Sequence, residues 1–97
     1  MPYLVSYDIE NDRLRDKVAK RLIAAGCLRL QKSVFAGPIS ETAFRELDRW
    51  LRQHIRAAGD SVFILDVGPE TLRNADWIGA QAPDWPLATG PPDVLFI

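Results

Sequence analysis

Three runs of β-forming residues are separated by two helix-period stripes, and this alternation constrains the fold more than any other feature of the 97-residue chain. Tyr3, Val5, Tyr7 and Ile9 alternate with Leu4, Ser6 and Asp8, the period-two pattern of a strand. Asn11 or Asp12 offers a helix cap. Leu14, Val18, Leu22 and Ala25 then recur at helical spacing and Gly26 supplies a stop, so a helix is expected over about 12–25. Leu28 to Ala36 reads as extended, either as one bent strand or as two short ones, and Gly37-Pro38 reads as the turn that ends it. Ser40 caps a second helix whose stripe is Phe44, Leu47, Leu51, Ile55 and Ala58, broken at Gly59-Asp60. The continuous run Val62 to Leu65, within Ser61 to Val67, predicts a central strand covered on both faces.

That order fits an α+β, ferredoxin-like βαββαβ layer with both helices on one face of the sheet. Residues 1–67 form this core. Tyr7, Phe35 and the β-rich strands have no third layer to cover them, so a second copy stacking sheet to sheet is the economical solution. The size of the chain agrees, because a domain this small hides only about 60–65% of its extended surface. Five of the seven prolines fall in residues 68–97. This segment reads as an extended tail, not a separate domain, anchored by Trp77 and Trp85 and ending in a strand over 93–97 that could join a sheet edge.

Composition excludes several classes. With 47% hydrophobic and 26% charged residues the chain belongs with folded proteins, not disordered ones. It has no run of about 18 apolar residues and no charged leader before an apolar stretch, so no membrane association is expected and the location expected is cytoplasmic. Cys27 stands alone, as a small buried hydrophobe in a reducing compartment. There is no phosphate-binding glycine loop, and with His54 as the single histidine neither a Ser–His–Asp triad nor a histidine-rich metal site is easily built. The aromatic signature of ferredoxin-like RNA-binding sheets is also missing.

Charge is unevenly spread: residues 1–58 carry +4 and residues 59–97 carry −5. Arg13, Arg15, Lys17, Lys20 and Arg21 crowd the first helix. Arg45, Arg49, Arg52 and Arg56 share a sector of about 60° on the second, opposite its apolar stripe. Glu41–Arg45 and Asp48–Arg52 are acid-first pairs at i,i+4 that neutralise part of this ridge, while Arg49 and Arg56 have no acid four residues before them. A solvated face and a phosphate-contacting face are both compatible with the pattern. Asp8 ends the first strand, where it either carries chemistry or accepts hydrogen bonds from the following turn.

Tyr7-Asp8-Ile9, the run Asp12-Arg13-Leu14-Arg15-Asp16-Lys17-Val18-Ala19, Gly26, Gln31-Lys32-Ser33-Val34-Phe35 and Asp60-Ser61-Val62 together resemble the CRISPR-associated Cas-two family, the small subunit of the spacer-acquisition machinery. The resemblance covers most of residues 3–67 in order and spacing. It implies a ferredoxin-like homodimer with metal-dependent phosphodiesterase activity on RNA or duplex DNA, using Mg²⁺ or Mn²⁺, and a partner in the Cas-one integrase. By the same resemblance Asp8 matches the metal-binding carboxylate, one from each protomer. Tyr7, Arg15, Arg29 and Phe35 fall on positions tied to activity, and Lys17 stands where family members can carry arginine. Arg13, Lys17, Arg29, Arg45, Arg49, Arg52 and Arg56 are the nucleic-acid candidates. Trp77-Ile78-Gly79-Ala80 and Val94 to Ile97 look like the loop and last strand that pair onto a partner's sheet. Magnesium prefers six oxygens and one or two carboxylates, so a lone Asp8 makes a poor site and two across a two-fold axis a better one. Two other readings remain: a non-catalytic dimer that bridges Cas-one subunits and holds duplex DNA, and, from a different class, a small-molecule regulatory or toxin-like dimer of the same fold.

Overall fold

The computed structural model describes residues 2–89. Its elements run β1 (Pro2–Asp8), α1 (Asp12–Ala24), β2 (Leu28–Gln31), β3 (Val34–Pro38), α2 (Glu41–His54), β4 (Ser61–Asp66), α3 (Pro69–Arg73) and α4 (Trp85–Thr89). The antiparallel sheet has the order β2-β3-β1-β4, the ferredoxin-like arrangement. The expected strand at 93–97 lies outside the described residues.

Local chemistry sets the boundaries. Asn11 Oδ1 accepts from the Leu14 amide at 2.9 Å and starts α1. The helix ends in a Schellman motif: the Cys27 amide donates to Leu22 and the Gly26 amide to Ile23, with Gly26 at φ 109°. The extended stretch resolves into two strands joined at Lys32-Ser33, with a bulge between Arg29 and Gln31. Gly37 is not the turn expected there. It lies within β3, and a Cβ on it would come within 2.5 Å of the Gly26 carbonyl and 2.6 Å of Cys27 Cα, so glycine permits a close backbone approach.

α2 begins as expected, with Ser40 Oγ accepting from the Ala43 amide at 3.1 Å. It stops at His54, four residues short of the expected end at Ala58. Ile55 turns extended at ψ 131°, and the carboxylate of Asp60 accepts from the Arg56 amide at 3.4 Å as the chain swings into β4. Arg56 is therefore off the helix and does not extend the arginine ridge.

The alternation in β1 sends Tyr3, Val5 and Tyr7 toward the helices, and the pairing Val5↔Phe35 places Phe35 beside them. These residues pack with Val18, Ala19 and Leu22 of α1 and with Leu47 and Leu51 of α2. Two expectations are corrected here. Tyr7 and Phe35 lie in the helix-side core and not on the uncovered face. The uncovered face also has a partial third layer, because the tail is not simply extended: α3 and α4 bury Leu72 and Ala88 against Ala36, with Leu4, Leu28, Leu30 and Trp85 around them.

Among the described residues β4 lies at the edge of the sheet, not at its centre as expected. Its apolar run is split between faces: Val62 and Ile64 face the helices, while Phe63 and Leu65 look outward, 59% and 44% exposed. A run with no polar alternation thus records one face in the core and one that α3 and α4 do not pack against. No helix among the described residues is long and apolar enough to cross a membrane.

Candidate nucleic-acid interface and metal half-site

Asp8 ends β1 on the face opposite the two long helices, and its cross-strand neighbour is Ser61 of β4. Strand parity puts it on the same face as Ser6, Phe63 and Leu65, at the rim of the uncovered area. The carboxylate is exposed, and among the described residues no side chain or backbone amide pairs with it. The alternative reading, in which Asp8 accepts from the following turn, therefore does not hold. That role belongs to Asn11.

Two contacts fix the loop after Asp8. Arg15 donates from Nη1 to the Ile9 carbonyl at 3.0 Å and is ion-paired with Asp12, which holds a guanidinium one residue from Asp8 along the chain. The Asp60 carboxylate clasps two loops, accepting from the Glu10 amide at 3.2 Å and from the Arg56 amide. From sequence Asp60 reads only as part of a helix break. The signal for its clasp is an acid placed directly before a strand that must pair beside β1.

Tyr7 and Phe35 stack with ring centroids 5.9 Å apart beneath the helices, so the structure does not bring them to the Asp8 face. Both rings pack in the core between the sheet and the long helices. The Tyr7 hydroxyl is buried and has no hydrogen-bond partner among the described residues. Arg29 lies over the Phe35 ring, 5.1 Å from its centroid, and donates twice to the Lys32 carbonyl, which rigidifies the β2–β3 hairpin.

The cations of α2 are separated from Asp8 by the sheet, since Leu47 and Leu51 turn inward and the arginines face solvent. Arg45 pairs with Glu41 at 2.5 Å, and Arg52 pairs with Asp48 at 3.0 Å, which holds the Arg52 guanidinium above its ordinary pKa. Arg49 makes no ion pair among the described residues, and neither do Arg13 and Lys17 on α1. Free cations are thus few on α2 and concentrated on α1.

The donor set suits a hard cation only in part. Among the described residues no cluster of three or more His, Cys, Asp or Glu stands ready to hold a metal ion. A single unpartnered carboxylate at a strand end offers hard oxygen ligands, the lower end of the one or two carboxylates that Mg²⁺ commonly takes from a protein.

A family model described as CRISPR associated protein Cas2 matches residues 1–75. A relative from Pyrobaculum aerophilum named CRISPR-associated endoribonuclease Cas2 2 is 35% identical over 83 residues, covering 86% of this chain and 91% of that protein. One from Synechocystis, named CRISPR-associated endoribonuclease Cas2 3, is 34% identical and covers 98% of this chain and 97% of its own. The crystal structure of Streptococcus pyogenes Cas2 at pH 6.5 superposes with a TM-score of 0.71 at 30% identity, covering 81% of this chain and all of that one. The matched region contains β1, both long helices and β4, so sequence and topology agree: this chain belongs to the CRISPR-associated protein Cas2 family.

Proposed function

We propose that the protein is a CRISPR adaptation protein that acts as a metal-dependent phosphodiesterase, with Asp8 of each of two protomers forming one cation site between facing sheets. The observation that carries this reading is the unpartnered Asp8 carboxylate at the rim of a sheet face left apolar at Phe63 and Leu65. Two copies of that face, related by a two-fold axis, would bury the apolar residues and bring two Asp8 rims together.

When bound, a divalent cation supplies a polarised phosphoryl oxygen and a more acidic water. The chain's own residues do the rest. Asp8 supplies the ligand oxygens. Arg15, tethered to Ile9 and Asp12, keeps a guanidinium near the site to hold a phosphate oxygen and offset charge developing on it. Asp60 fixes both flanking loops, and the Tyr7–Phe35 stack fixes the strands from behind, so these three act as positioning residues. The names of the relatives support RNA as a substrate.

The test is cleavage of RNA and of duplex DNA by purified protein with Mg²⁺ or Mn²⁺. Asp8→Asn should abolish hydrolysis while leaving the fold intact, and unchanged hydrolysis would assign the activity elsewhere. The sparse donor set of one protomer favours a second reading, a non-catalytic scaffold that binds the Cas-one integrase and duplex DNA. In that case Asp8→Asn changes neither assembly nor DNA binding, and the wild-type protein cleaves neither polymer.

A further inference from the structure

We infer that the groove between α1 and α2, on the far side of the molecule from Asp8, binds single-stranded nucleic acid. Lys17, Lys20, Arg21 and Ala24 of α1 face Trp50 and His54 of α2 across an open space of about 540 Å³. Trp50 and His54 sit four residues apart and stack with centroids 4.3 Å apart at 18°. The His54 Nδ1 hydrogen bonds to the Trp50 carbonyl at 2.8 Å, which fixes the ring in that stack. Arg21 lies over the indole, 4.7 Å from its centroid.

Three features select the ligand. First, the cations are not ion-paired: among the described residues Lys17, Lys20 and Arg21 make no ion pair, although Asp16 stands four residues before Lys20 and Glu46 of α2 lines the adjoining hollow with Arg21. On α2, by contrast, two of the arginines are neutralised by their own helix. Second, Lys17 and Arg21 are one turn apart, about 6 Å along the axis, so the cations form a row that can track a backbone. Third, the exposed imidazole offers a π-face already ordered by the indole behind it. A base can continue that stack only if its own faces are free, which a single strand provides and a duplex interior does not. An acidic peptide would use the cations and leave the aromatic pair idle.

The groove is independent of hydrolysis, so it can be tested with the chemistry removed. The full chain carrying Asp8→Asn is titrated, in chelator, into a fluorescein-labelled deoxythymidine strand of about 16 nucleotides, and separately into a labelled hairpin duplex, with anisotropy followed across salt concentrations. Lys17→Gln with Lys20→Gln should weaken binding to the single strand and reduce its log–log salt slope by about 1.4. His54→Ala, at an exposed position outside the core, should weaken binding to the single strand about tenfold and leave the duplex unchanged. Circular dichroism confirms that each variant is folded. Unchanged binding in these variants overturns the inference. An equal loss on strand and duplex with His54→Ala, or competition by polyglutamate as effective as by unlabelled strand, also overturns it.

Discussion

The outward pair on β4 makes a quantitative prediction. Phe63 is 59% exposed on the face that carries Asp8. A phenylalanine buries about 200 Å² when fully covered, so about 120 Å² of this side chain is available to a partner, worth about 3 kcal/mol at 25 cal/mol/Å². In a two-fold dimer the residue counts twice, for an upper limit of about 6 kcal/mol; half of that would still change the dissociation constant about 100-fold. Phe63→Lys removes this burial and places like charges near one another across the axis. Because the side chain faces solvent in the protomer, the fold should persist, with a melting temperature within a few degrees of wild type. Sedimentation equilibrium at micromolar concentration should show a wild-type dimer and a Phe63→Lys monomer, with metal-dependent cleavage lost alongside the dimer. A variant that dimerises within threefold of wild type would refute the placement of the partner on this face.

Gly37→Ala forces a methyl group against the Gly26 carbonyl and Cys27 Cα, backbone atoms that cannot move aside cheaply, so denaturant unfolding should show a loss of about 1–3 kcal/mol. Tyr7→Phe deletes a buried hydroxyl that has no partner among the described residues, so stability should hold or rise by up to about 1 kcal/mol, and cleavage should persist if Tyr7 only positions the strand. Cys27 is buried and its thiol is pushed up to about 11 by desolvation, so a thiol-specific reagent at pH 8 should react slowly with the native protein and rapidly in denaturant. The sign for stability follows: the native state retains a proton that the unfolded state releases above about pH 9, so this group lowers stability between about pH 9 and 11 and has no effect below.

The elements of the core were legible because their patterns are local. Alternation in β1, the caps at Asn11 and Ser40 and the stop at Gly26 each involve neighbours within a few residues, and the structure places them accordingly. The exceptions depend on distant partners. Val62 to Leu65 looks central because a strand apolar on both sides does not reveal whether its second cover is the same chain. The helix stripe continues on paper to Ala58, but Asp60 binds the Arg56 amide and the Glu10 amide 50 residues away. The resemblance marks Tyr7 and Phe35 as site residues without saying which face they occupy, and strand parity turns both toward the helices. Asp8 itself was visible as a carboxylate at a strand end, and its lack of any partner among the described residues emerges only in three dimensions. The same holds for the Arg21–Trp50–His54 stack, whose members come from two helices.

The central claim is that one cation is shared by two copies of Asp8, and its most direct measurement is the stoichiometry of Mn²⁺ binding by calorimetry. One ion per two wild-type chains is expected, with none bound by Asp8→Asn or by the monomeric Phe63→Lys variant. One ion per chain, or binding that survives in the monomer, would contradict the shared site.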